Sequence, residues 1–280
     1  MNNLRRKALL GIVYLFATIG FVLVGGYIAT LTGLTNTKGV VDTQRDTFLT
    51  SSSSTDEKGS LSTYGTFPLS HTPEWVAFRI AVTKDKNIIA SVSKQTGVPE
   101  RVLIALLAPE QMRLFYSDRQ LFKDVFGPLK ILGSQSQFSW GIFGIKDDTA
   151  RMVENNLTNT SSPYYLGPSY EHMLDFKRTD TDQERFERIV DEHDHTYAYL
   201  YTALYIAQIE KQWKTAGYAI GARPEIIATL WNLGFEKSRP NPSPQSGGSE
   251  MEINGVSYSF GRLAKDFYYS DEMIEFFPIK

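Results

Sequence analysis

Cysteine is absent from all 280 residues. The chain can therefore hold no disulfide framework, no thiol nucleophile and no thiolate metal site, and it is indifferent to an oxidising compartment. A surplus of positive charge is missing too. The formal net charge is −2 and the Lys/Arg clusters are short, so no basic face points to nucleic acid, and no nucleic-acid partner is expected. What remains, 42% hydrophobic and 21% charged, is ordinary globular material with enough apolar side chain for a sizeable core.

The most distinctive stretch is at the N-terminus. Arg5, Arg6 and Lys7 precede an uncharged run from Ala8 to Thr37, longer than the roughly 20 apolar residues that span a bilayer. Positive flanks stay on the cytoplasmic side, which predicts residues 1–7 in the cytoplasm, a signal-anchor helix over 8–34 in the cell (inner) membrane, and the rest translocated. A cleaved signal peptide is the rival, but its apolar core is usually only about 7–15 residues. Residues 35–69 are polar and low in complexity, with Ser51-Ser52-Ser53-Ser54 among them. That composition predicts a flexible linker.

Residues 70–280 are expected to form one mainly α domain. Ile88, Ile89 and Val92 recur at helical spacing before Gly97, which predicts a first helix. Pro99 opens a second, apolar nearly all round at 102–108 and therefore central. Two further helices are predicted over 197–217 and 224–233, each closed by a glycine. A small hairpin is expected around Asn254-Gly255.

Two segments stand out as chemistry. Glu110 follows the apolar run Ile104-Ala105-Leu106-Leu107-Ala108-Pro109, where an ionised carboxylate is costly unless paired or functional. Desolvation that keeps a carboxyl partly protonated is what glycosidic cleavage needs, because the leaving oxygen must receive a proton. The bland alternative is a surface pairing with Arg113. Downstream, Ser139-Trp140-Gly141-Ile142-Phe143-Gly144-Ile145-Lys146 reads as a Gly-punctuated loop entering a helix. Its glycines allow close backbone approach, and Trp140 and Phe143 offer flat faces for sugars. The bland reading of that stretch is a turn with a buried aromatic.

Taken together, Gly97-Val98-Pro99 leading to Glu110, then Ser139 to Lys146 with Thr149-Ala150, then Trp231-Asn232-Leu233-Gly234, resemble the soluble lytic transglycosylase type of lysozyme-like domain. The blocks occur in that family's order over roughly residues 85–270. The resemblance implies a lysozyme-like helical domain with a small β-hairpin, facing the cell wall on the periplasmic side. It also implies cleavage of the MurNAc–GlcNAc bond of peptidoglycan glycan strands, leaving 1,6-anhydro-MurNAc ends. Glu110 would be the single catalytic acid and base. Asn232 would hold substrate, and Ser139, Trp140, Gly141, Ile145 and Lys146 would line the cleft, with Tyr268 near the acid. No cofactor and no metal are implied. The chain departs from the family where Gln111 follows the acid in place of Ser, Pro109 precedes it, and Phe143-Gly144-Ile145 replaces Met-Gln-Ile.

Other readings stay open. Asp191-Glu192-His193-Asp194-His195 is dense in ionisable groups, but His193 and His195 point apart on a helix, and a charged loop or helix start is expected rather than a metal site. A carboxylate from that cluster would make the protein a two-acid muramidase. A groove that binds murein without cutting, as a scaffold of envelope machinery, is the reading from another class.

Overall fold

The computed structural model describes residues 65–116 and 140–279, together with Gly11, Tyr14, Ala17, Gly20 and Phe21. The chain divides into two compact units, residues 1–40 and 41–280. Of the expected span at 8–34, those five residues are described and all are helical; the remainder, like the N-terminal 1–7 and the linker before Gly65, lies outside the described residues. No helix among the described residues is long and apolar enough to cross a membrane.

The second unit is mainly helical, with eight α-helices and a two-stranded sheet among its described residues. Its folded part begins ahead of the expected boundary at 70. Gly65 donates its N–H to the Tyr269 carbonyl at 3.3 Å, and Phe67 and Leu69 are buried, each contributing roughly 2 kcal/mol by leaving water.

Helix α1 is Pro73–Lys84. Proline suits its first turn, and Thr72 caps it by accepting from the Trp75 N–H at 3.2 Å. Asp85 separates it from α2, Lys86–Thr96, which ends on Gly97 in the left-handed region at φ 79°. Pro99 then starts α3, Glu100–Phe115, the central helix: every residue from Arg101 to Glu110 is buried. Pro109 sits inside it, so the helix lacks one backbone donor just before the acid.

Helix α4 is Asp147–Thr158, α5 is Thr181–Val190 and α6 is Thr196–Thr215, with a single 3₁₀ turn at Pro168–Tyr170 between α4 and α5. Helix α7 is Pro224–Leu233. Strands β1, Glu250–Ile253, and β2, Val256–Ser259, pair antiparallel with Ile253 opposite Val256. Asn254 and Gly255 both have positive φ, 52° and 79°, the conformation of a type I′ hairpin turn. Ser259 caps α8, Phe260–Tyr268.

Helix α8 packs on α3 and α7, while α2, α4 and α5 all pack on α6. The core therefore runs along both sides of α3, which carries Glu110 near its end.

Candidate functional site

Glu110 is 3% exposed. It lies in the penultimate turn of α3, and Arg113, one turn on, donates to its Oε1. The cation sits where i,i+3 helix geometry puts it. The next residue, Gln111, donates its side-chain N–H to the backbone carbonyl of Ile142. A residue beside the acid thus reaches the Gly-punctuated turn 31 positions away.

That turn is closed on itself. Trp140 N–H donates to the Ile145 carbonyl at 2.7 Å, and Ile145 N–H returns to Trp140 at 2.9 Å. Gly141 and Gly144 take φ of 65° and 62°. At Gly141 the space is used by protein: a Cβ there would lie 2.2 Å from the Ile189 carbonyl oxygen of α5. Its close approach serves helix packing.

Phe143 is buried and meets Tyr199 of α6 edge-on at 5.2 Å and Trp231 of α7 at 6.1 Å. The turn is consequently gripped by α3, α5, α6 and α7 together. Trp231 leads to Asn232, whose Oδ1 accepts from the Ser249 N–H at 2.7 Å. Asn232 remains partly exposed and ties α7 to the loop before the hairpin. All three blocks that carried the family resemblance converge on this region: α3 reaches the turn through Gln111, and the turn reaches α7 through Phe143.

Several expected roles change. Trp140 is 3% exposed, its ring T-shaped against Phe186 at 5.1 Å, and Phe143 is fully enclosed; neither offers an open face to a sugar, because both rings fill the space between the turn and its helices. Ile145 is buried likewise. Lys146 is exposed at the start of α4. Ser139 lies outside the described residues.

Tyr268 is buried, and its carbonyl accepts from Arg101 Nε at 2.7 Å. That anchors its backbone at the first turn of α3, about 13 Å of helix rise from Glu110, so the aromatic tail is core at this point. Burial pushes its phenol up, against the opposing charge of Arg101.

The 191–195 cluster forms the lead into α6. The Asp191 carboxylate accepts from the backbone N–H groups of His193 and Asp194 at 2.8 and 3.0 Å, which holds it below the usual carboxylate range. His195 Nδ1 lies 2.7 Å from Asp85 Oδ2, and the Tyr199 hydroxyl donates to the same oxygen at 3.2 Å. Among the described residues, no group of three or more His, Asp or Glu side chains is arranged to hold a metal ion.

Sequence reasoning singled out Glu110 but gave Gln111 only the status of a departure. Its bond to Ile142 had no local signal, since the partner is a backbone atom distant in the chain. Glu74 was missed as well; it accepts from the Tyr116 hydroxyl at 2.8 Å, just past the end of α3. Two surface grooves, about 410 and 350 Å³, are lined by Val76, Ile80 and Phe276 in one case and by Arg151, Glu154 and Arg185 in the other. Neither includes Glu110. No family model, curated protein or solved structure matches the chain.

Proposed function

We propose that the chain is a membrane-anchored peptidoglycan lytic transglycosylase of lysozyme-like fold, held by residues 8–34 with its helical domain on the cell-wall side. The observation that carries the reading is the buried Glu110 of α3, paired with Arg113 and set beside Gln111, which is bonded to the Gly141–Gly144 turn. A buried carboxylate with a cation one helical turn away is a chemically competent acid and base once substrate enters its surroundings.

In this mechanism the glycan displaces Arg113 from the carboxyl, which lets Glu110 carry a proton. Glu110 gives that proton to the glycosidic oxygen as the C1–O bond breaks. As a carboxylate it then removes the proton of the sugar's own 6-hydroxyl, whose oxygen closes on C1. The products are a free GlcNAc 4-hydroxyl and a 1,6-anhydro-MurNAc end, with no water consumed. Asn232 supports the substrate from α7. Neither a cofactor nor a metal takes part in these steps.

A second reading is favoured by a specific observation. Trp140 and Phe143 are packed inward and present no aromatic face beside the acid helix, as suits a murein-binding scaffold of envelope machinery that does not cut.

The test uses the full chain in detergent micelles and its Glu110→Gln variant, incubated with peptidoglycan, with released muropeptides identified by mass spectrometry. Anhydro ends from the native chain alone are expected. Reducing ends would indicate a muramidase, and sedimentation with murein without release would indicate the scaffold.

A further inference from the structure

Gln111 joins the acid helix to the glycine turn by a side-chain hydrogen bond. Its amide has two N–H donors and an acceptor oxygen, and the bond from Nε2 to the Ile142 carbonyl fixes the plane of that amide. The side chain is partly exposed, and no donor among the described residues reaches its Oε1. An oriented acceptor one residue from Glu110 is therefore left without a donor among the described residues. Amino-sugar glycans are rich in hydroxyl and N-acetyl N–H donors, the groups such an oxygen accepts.

We propose that Gln111 is a substrate-positioning residue, using its amide nitrogen to lock the 140–145 turn against α3 and its amide oxygen to accept a hydrogen bond from the amino-sugar glycan beside Glu110. The proposal rests on the transglycosylase reading and adds to it a residue that the family resemblance does not supply, since the family commonly has Ser at this position. Losing the lock displaces the turn relative to the acid and lowers kcat; losing the acceptor weakens ground-state binding and raises KM.

The experiment compares the full chain with Gln111→Met, which keeps side-chain length and removes both functions. Initial rates on solubilised glycan strands give kcat and KM, and thermal melting is followed in parallel. The expected result is a loss of about 10–100-fold in kcat/KM, shared between lower kcat and higher KM, with the melting temperature within about 2 °C of native. Native rates in Gln111→Met would overturn the inference and leave the transglycosylase reading intact. Activity loss that merely follows a lowered melting temperature would reduce Gln111 to a structural strut and also overturn it. A native chain that releases no product would remove the reading itself, and the inference with it.

Discussion

At the residue scale, Gly141 shows how a feature legible as ligand-binding becomes a packing requirement. A glycine set between two aromatics, Trp140 and Phe143, can admit a substrate or a neighbouring backbone, and composition does not distinguish them. Here the Ile189 carbonyl occupies the position a side chain would take, and φ is positive. Gly141→Ala should therefore lose about 3 kcal/mol of stability through clash and backbone strain, read by urea denaturation of the full chain in micelles. A loss below about 1 kcal/mol would mean that α5 does not press on the turn in this way. Trp140 follows the same logic: its ring was readable as a platform, yet burial against Phe186 recovers more free energy than exposure would.

At the scale of elements, helices with punctuation at both ends were legible. Gly97 and Pro99 bracket the junction of α2 and α3, and Pro224 and Gly234 bracket α7, so apolar spacing and caps agreed. Helix α1 was not, because its apolar side chains fall on two faces: Trp75, Phe78 and Val82 point inward, while Val76 and Ile80 are exposed, which blurs the period. Helix α5 was hidden for the opposite reason. Its buried residues include Glu184, Arg185 and Arg188, charges that read as surface until their partners are seen. Arg185 grips Glu154 of α4 with two bonds of 2.6 and 2.7 Å, and Arg188 pairs with Glu184. Buried charges persist when so compensated.

One inter-element contact carries a pH signature. His195 at the start of α6 pairs with Asp85 at the corner of α1 and α2. The hydrogen bond to Asp85 raises the imidazole above its ordinary value, burial opposes this, and the charges of Asp85, Asp191 and Asp194 add to it. The folded chain thus binds this proton more tightly than the unfolded chain. The contribution is complete below the unfolded value of about 6.5 and is lost as pH rises through the folded value. The melting temperature should accordingly decline between about pH 6 and 8 more steeply in the native chain than in Asp85→Asn. Equal slopes in the two proteins would show that the pair does not contribute to stability.

At the scale of the whole molecule, the central helix α3 and the C-terminal segment meet on Arg101. This residue is 0% exposed, and a charge there had no local signal, since its partners are carbonyls some 170 positions later. Its Nε donates to Tyr268 at 2.7 Å, Nη1 to Glu272 and Phe277 at 3.0 and 2.8 Å, and Nη2 to Phe267 and Ser270 at 3.0 and 2.7 Å. All five guanidinium donors are used. At the end of α8 the Phe267 carbonyl also accepts from the Ser270 N–H and hydroxyl, while the Tyr268 carbonyl takes its donor from Arg101, so one side chain helps cap that helix and fixes the turn after it. It also lies over the Phe267 ring, 4.8 Å from its centroid.

Arg101→Leu would leave the buried Tyr268, Ser270 and Phe277 carbonyls without a donor, each costing about 1–3 kcal/mol, a sum comparable with the ~5–15 kcal/mol stability of a whole domain. Arg101→Lys has three donors on a single nitrogen and cannot span the same five acceptors. Both variants should release the segment after Phe267 to limited proteolysis and lower the urea midpoint, leucine more than lysine. A leucine variant with native midpoint and native protease resistance would mean that the C-terminal segment is held by its apolar contacts alone, Phe267 and Phe277 among them.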